Sequence, residues 1–185
     1  MTRLVLCRHA EAGDAAQVAA LAQGLAALPL SAVYTSPLER ALETARAIAV
    51  PHGLVPVAVP ALREIERGAA EGLAFEAYPA ELKAELLSSP ESMRFPGGES
   101  FDDVRVRVAP ALAKIVAEHA GQAVAAVSHA GAIRAALAVW IEIGGDGAFR
   151  IDQAPGAVNV IDWSDGRPFV RLVNGSGIAT IAGGA

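Results

Sequence analysis

The sequence predicts an α/β fold, a three-layer α/β/α sandwich with a mostly parallel central sheet. Short apolar runs of strand length alternate with longer stretches of helical period, the order that strands joined by helical crossovers require. The chain is 53% hydrophobic and alanine-rich but only 5% aromatic. Its core is therefore built from Ala, Val, Leu and Ile, which suits helices stacked closely on a sheet. The clearest hairpin signal, Asp165-Gly166, falls in the tail.

Residues 4–8 form an apolar run with turn-forming Gly13 and Asp14 soon after, which predicts a buried first strand. From 15 to 28, Val18, Leu21, Leu25 and Leu28 recur at helical spacing, and Pro29 stops that helix. Residues 31–35, with Ala-Val-Tyr in the middle, predict a second strand. Ser36-Pro37 then opens a helix to about residue 50, with Ser as N-cap and Pro at the first helical position. Residues 55–59 predict a third strand. The stretch 61–100 is less regular, with a loop rich in Glu and Arg, a short helix near 77–87 and the turn Phe95-Pro96-Gly97-Gly98. Ser100, followed three residues later by Asp103, predicts a capping box for a helix to about residue 119. A fourth strand at 122–128, a helix at 131–143 and a hairpin of 158–163 with 169–173 complete the reading.

At 185 residues the chain is expected to form one domain, 1–185, since domains usually span roughly 100–200 residues. The formal net charge is −5 and Lys and Arg form no run, so the basic stripe of generic nucleic-acid binding is absent. An acidic protein that binds anions must gather its few cations locally, which makes the placement of its arginines informative. Cys7 is the single cysteine and has no partner for an internal disulfide. Only four apolar residues separate Arg3 from Arg8, too few for a signal segment. The apolar stretch 124–143 is interrupted by His129 and Arg134, which reads as strand plus helix. A cytoplasmic protein without membrane attachment is expected.

In layered α/β folds, ligands sit outside the carboxyl ends of the strands. The first strand ends in Arg8-His9, and the second in Thr35-Ser36-Pro37 with Arg40 one helical turn in. The third leads to Arg63-Glu64, and the fourth ends in Ser128-His129. Arg8, His9, Arg40, Glu64 and His129 are thus expected to converge on one edge of the sheet. Singly, each has an ordinary reading: a buried His finds a hydrogen bond, a helix Arg pairs with Glu39 or Glu43, and Glu64 lies in a charged, solvated stretch. Their joint placement distinguishes them. His52 and His119 lack it and read as surface residues.

Five segments then occur in a telling order: Leu4-Val5-Leu6-Cys7-Arg8-His9-Ala10-Glu11; Thr35-Ser36-Pro37-Leu38-Glu39-Arg40-Ala41; Leu62-Arg63-Glu64-Ile65 with Glu71-Gly72-Leu73; Pro96-Gly97-Gly98-Glu99-Ser100; and Val127-Ser128-His129-Ala130-Gly131. Together they resemble the histidine phosphatase superfamily, the phosphoglycerate mutase-like group. The resemblance implies that group's fold and a metal-independent phosphomonoesterase without a cofactor. Its substrate would be a small phosphorylated metabolite or a phosphoprotein, and a phosphohistidine would form on the way. It implies His9 as the nucleophile, Arg8 and Arg40 as ligands of the phosphoryl oxygens, His129 as a further phosphate ligand, and Glu64 as the proton-donating acid.

Those roles are chemically coherent. A phosphoryl group in transfer spreads negative charge over three oxygens, which guanidinium forks match. Neutral imidazole is a competent nucleophile near pH 7, because its ordinary pKa is about 6.5. The leaving alkoxide needs a proton, which Glu64 supplies if burial or the anionic substrate keeps it protonated. The arginines and His129 provide the positive charge, and loss of one such donor commonly costs about 10²–10³ in rate.

Three features depart from the family pattern. Ala10 stands where the family has the glycine of Arg-His-Gly. The segment from His9 to the first helix is short and lacks the family's Ser or Thr, Asn and Gln-Gly, which predicts an open pocket. Arg67-Gly68-Ala69-Ala70 lacks the aromatics common around this Glu-Gly segment, which predicts a flatter substrate wall.

Other phosphatase chemistries fit less well. A cysteine phosphatase needs Arg six positions after Cys7, where Gly13 stands, and no Asp-x-Asp motif or metal-binding His cluster is present. Ser128 lacks the glycines of a hydrolase nucleophile elbow and has no later His beyond the adjacent His129. Two alternatives remain: a phosphoglycerate mutase-type isomerase, and a non-catalytic module that binds phosphorylated ligands. Sugar phosphates, nucleoside-type phosphates such as ribazole phosphate, and phosphopeptides are all open as substrates, as is the oligomeric state.

Overall fold

The computed structural model describes residues 1–90 and 92–176; the predicted domain 1–185 extends over residues 91 and 177–185, which lie outside the described residues. In chain order the elements are β1 (Thr2–Arg8), α1 (Ala15–Leu25), β2 (Leu30–Thr35), α2 (Glu39–Ala49), β3 (Val57–Ala58), α3 (Ala80–Ser88), α4 (Phe101–Glu118), β4 (Ala123–Ser128), α5 (Ala130–Trp140), α6 (Gly145–Phe149), β5 (Val158–Ser164) and β6 (Arg167–Gly175). The strands form one sheet in the order β3-β2-β4-β1-β5-β6. The pairs β1/β4, β2/β4 and β2/β3 are parallel, and β5 is antiparallel to both β1 and β6. Only β5 runs against the others, so the sheet is mostly parallel.

The two faces of the central strands explain the layers. Leu4, Leu6, Val124 and Ala126 point to the face covered by α4 and α5, where Val104, Val108, Leu112, Ile133 and Leu137 meet them. Val5, Cys7, Ala125 and Val127 point to the other face and pack on Leu21 and Leu25 of α1 and Ala41, Ala45 and Ile48 of α2. A central strand buried on both sides reads as a continuous apolar run, which is why 4–7 lacks alternation. Beyond the sheet, Tyr78, Leu82, Met93, Phe95 and Ala70 form a small separate cluster beneath the irregular 60–100 segment.

Most boundaries match the sequence, and the differences have local causes. Asp14 caps α1 by accepting from the Gln17 N–H, and the Ser100–Asp103 capping box opens α4. Ser36 is not the N-cap of α2. Its N–H still donates to Val127 O at 2.9 Å, continuing the sheet, so the chain turns away only at Leu38 and the helix starts at Glu39. The third strand shrinks to two residues, because Pro56 has no N–H to give and Val55 and Val57 face solvent. At the hairpin, Asp165 and Gly166 take φ of 52° and 75°, the primed turn that Asp-Gly favours.

Candidate active site

The carboxyl ends of β1, β2 and β4 finish side by side. Arg8 lies in register with Ser128, the His9 N–H donates to Ser128 O at 3.0 Å, and Ser36 follows β2. This brings His9 and His129 together with ring centroids 4.9 Å apart, tilted by 60°. Ser128 itself turns inward, donating from Oγ to Leu62 O at 2.8 Å and so fixing the segment that leads to Glu64.

His9 is held from both ring nitrogens. Nδ1 donates to Ala10 O at 2.6 Å, and Arg40 Nε donates to Nε2 at 3.2 Å. A guanidinium can only donate, so Nε2 carries a lone pair. Burial foremost, with the charges of Arg40 and Arg8, lowers the His9 pKa against the opposing Ala10 carbonyl and Glu64. Ala10 fits in place of glycine because its φ is negative, and its N–H is used, donating to Thr44 Oγ1 at 3.1 Å. The short loop after it closes on itself, with the Glu11 N–H donating to Gln17 Oε1 at 2.6 Å.

Arg8 donates from Nη1 to Gln153 O at 2.5 Å. That carbonyl is steadied by a fully buried amide pair, Gln153 with Asn159, whose Nδ2 also donates to Leu6 O. His129 is completely buried and shares a 2.8 Å hydrogen bond between Nε2 and Ser36 Oγ. Burial first, then the charges of Arg40, His9, Arg8 and Arg107, push its pKa down to about 2. The sequence predicts that His129 adds positive charge; it is instead a neutral imidazole, because burial and the charges of three arginines disfavour its cation. Arg8 Nε and His129 Nδ1 are buried and without a hydrogen-bond partner among the described residues.

Glu64 accepts from the Ile65 N–H at 2.9 Å and from the Gly131 N–H, in the first turn of α5, at 3.4 Å. Its backbone is clamped by Arg107 of α4, which donates to Ala61 O, Arg63 O and Glu64 O at 2.7–3.1 Å. Arg107 is aligned in turn by a two-pronged pair with Glu99 at 2.8 Å, and Glu99 also accepts from the Glu66 N–H. Gly68 and Gly98 let these loops meet backbone to backbone, since a Cβ on Gly98 would come 2.2 Å from Glu66 O.

The five residues singled out from the sequence therefore converge. Several others belong with them through contacts distant along the chain: Ser36 and Glu99 lie in the segments that carry the resemblance but take no site role from it, and Thr44, Arg107 and Gln153 give no sequence signal. Beside Arg8 and Glu64 opens a cavity of about 240 Å³, bordered also by Arg67, Arg134, Tyr78 and Phe95. Its aromatic wall corrects the expectation of a flat one, because the rings come from Tyr78, Phe95, Phe101 and Phe149 and not from the Glu-Gly segment. Nine other Lys and Arg side chains form ion pairs, but Arg8, Arg40, Arg67 and Arg134 form none among the described residues. Cys7 is buried, and burial pushes its thiol up to about 12, which removes it as a nucleophile. Among the described residues no helix is long and apolar enough to cross a membrane.

Paired imidazoles beside Arg8 and Arg40, which pair with no carboxylate among the described residues, and near the Glu64 carboxylate suit an anion, and the lineage of the chain is plain. The chain belongs to the histidine phosphatase superfamily (branch 1), whose family model matches residues 11–176. A bifunctional protein of Mycobacterium tuberculosis is 36% identical over 152 residues, which cover 80% of this chain and 42% of that protein. The chain thus spans less than half the length of the mycobacterial relatives it matches. Phosphoserine phosphatase 1 of Hydrogenobacter thermophilus is 31% identical, covering 73% of this chain and 74% of that one. Among solved structures, YhfR of Bacillus stearothermophilus superposes with a TM-score of 0.85 at 25% identity, covering 98% of this chain and all of that one. A mycobacterial glucosyl-3-phosphoglycerate phosphatase follows at 0.81 and 26%, covering 93% and 98%.

Proposed function

We propose that this protein is a metal-independent phosphomonoesterase that works through a phosphohistidine on His9. The observation that carries the reading is the His9 ring itself, with Nδ1–H tied to Ala10 O and the Nε2 lone pair held at the guanidinium of Arg40. A phosphoryl group drawn to Arg40 arrives at the nucleophilic nitrogen. Similarity to proteins named as phosphatases supports the same class of reaction.

In the first step the Nε2 lone pair attacks phosphorus, the P–N bond forms and the ester P–O bond breaks. Glu64, as the carboxylic acid, gives its proton to the departing oxygen, which leaves as an alcohol. Arg8, Arg40 and neutral His129 hold the three phosphoryl oxygens as charge spreads over them. In the second step water attacks phosphorus, Glu64 takes one of its protons, and the P–N electrons return to Nε2, releasing phosphate. His9 and Glu64 end as they began. The positive charge comes from arginines, so no metal enters either step.

The test is hydrolysis of p-nitrophenyl phosphate with and without EDTA, comparing the wild type with His9→Ala. Activity that survives EDTA and disappears in His9→Ala supports the reading. Activity retained by His9→Ala, or lost to EDTA, overturns it.

A further inference from the structure

Ser36 has no part in the reaction above, yet it makes the only hydrogen bond of the His129 ring among the described residues. Its placement follows from the end of β2. The Ser36 N–H donates to Val127 O at 2.9 Å, two residues before His129, and Thr35 Oγ1 donates to Ser36 O at 3.0 Å. Pro37 has no N–H and a fixed φ, so the next amide, Leu38 N–H, folds back onto Ser36 Oγ at 3.2 Å. The hydroxyl thus lies between that amide on one side and His129 Nε2, at 2.8 Å, on the other. Both Ser36 and His129 are fully buried.

The direction of the Ser36–His129 bond follows from the donors and acceptors present. The Leu38 amide can only donate, so it occupies a lone pair of Ser36 Oγ. If His129 donated from Nε2, the Ser36 hydroxyl proton would have no acceptor among the described residues, and the Nδ1 lone pair would stand empty as well. If Ser36 donates instead, its proton goes to Nε2, and a single group is left without a partner, the Nδ1–H. A buried polar group without a partner costs its desolvation, so the second arrangement is favoured. The imidazolium would orphan the hydroxyl proton too, and it would sit among the charges of Arg40, Arg8 and Arg107.

We infer that Ser36 is a positioning residue that holds His129 as its Nδ1–H tautomer and so keeps a hydrogen-bond donor free for a phosphoryl oxygen. The inference rests on the phosphomonoesterase reading for its ligand and deepens that reading by naming what sets His129. The other tautomer would present a lone pair to the same oxygen and repel it. Donor and repulsive group therefore differ only in which nitrogen bears the proton. Ser36 makes that choice before a ligand arrives, which spares the ring any reorganisation as charge develops on the phosphoryl group.

The test is nitrogen NMR with isotope-labelled histidine, His129 being assigned by its loss in His129→Asn. The ligand-free wild type near neutral pH should show a protonated Nδ1 and a bare Nε2 on His129. A protonated Nε2, with Nδ1 bare or protonated, overturns the inference. On addition of inorganic phosphate the Nδ1 proton should move downfield; a proton that stays at its free-state position in the phosphate-bound protein overturns the donor role. Ser36→Ala should shift His129 toward the Nε2–H tautomer and weaken phosphate binding in calorimetry by about 10–100-fold, the range for one hydrogen bond to a charged group. Ser36→Thr, which keeps the hydroxyl, should retain the wild-type tautomer. An unchanged tautomer in folded Ser36→Ala overturns the role of Ser36, and if that variant does not fold, the wild-type spectrum decides. None of these readouts needs turnover. Activity independent of His9 would thus end the phosphohistidine reading and leave the role of Ser36 standing, whereas the wrong tautomer would end the role of Ser36 alone.

Discussion

A Cβ on Gly131 would lie 2.5 Å from Oε1 of Glu64. The glycine that follows His129-Ala130 is therefore a clearance for the acid: without a side chain, the first turn of α5 can offer its N–H to the carboxylate. Gly131→Ala should displace Glu64 while leaving the helix intact, since Ala is favoured over Gly inside a helix by about 1 kcal/mol. The expected outcome is a fall of about 10²-fold in kcat on glycerol 3-phosphate, whose leaving group needs a proton. The fall on p-nitrophenyl phosphate, whose leaving group needs little help, should be smaller. Equal losses on both esters would mean that Glu64 is not the proton donor.

Arg107 and Glu99 act on the same acid from behind. Burial works against the Glu99 carboxylate, but the hydrogen bonds from Arg107 and the Glu66 N–H, with the charges of Arg107 and Arg63, hold its pKa below the usual range. Arg107→Met removes donors from three carbonyls of the Glu64 loop and should cost about 1–3 kcal/mol in denaturant unfolding. It should also lower kcat. Arg107→Lys should not restore it, because an ammonium cannot reproduce the fork.

The pH dependence of catalysis follows from His9. Its pKa is lowered, first by burial and then by Arg40 and Arg8, and in the proposed mechanism the neutral ring is the nucleophile. The acid limb of kcat/KM should therefore fall below the ordinary histidine value of about 6.5. Arg40→Gln should move that limb upward by removing a positive charge. A limb above 6.5 in the wild type would contradict the assignment.

Stability should also decline in acid, and the sign can be worked out for His129. Its folded pKa of about 2 lies well below the unfolded value of about 6.5. Between these limits the unfolded chain binds a proton that the native chain does not, so stability rises with pH across that window. The slope from this one group is at most about 1.4 kcal/mol per pH unit. Chemical denaturation at several pH values below 6.5 should show the trend, and His129→Asn should flatten it.

Much of this was legible in the sequence, for a physical reason. β1 and β4 are short and buried on both faces, and the candidate site lies at their carboxyl ends, so Arg8-His9 and Ser128-His129 can be read as strand followed by site. Arg40 and Glu64 follow from the same rule. What escaped is non-local. Arg107 lies 43 residues from Glu64, and a helix arginine reads as solvated until its carbonyl partners are known. His119 likewise read as surface, yet its Nε2 shares a 2.9 Å hydrogen bond with Tyr34 OH, and its Nδ1 another with Gln122 at the same distance. α6 is five residues with two glycines, too short to show a period, yet it carries Phe149 to the cavity wall. The neutrality of His129 depends on burial and on three arginines together, which no local pattern reveals.

The most direct test of the account is to trap the intermediate. The protein is mixed with a rapidly cleaved monoester, quenched in alkali within one turnover, digested and sequenced by tandem mass spectrometry. The account predicts one phosphoryl group, alkali-stable and acid-labile, on His9, and none in His9→Ala. A phosphoryl group on another residue, or turnover with no covalent phosphoprotein at any time point, would contradict it.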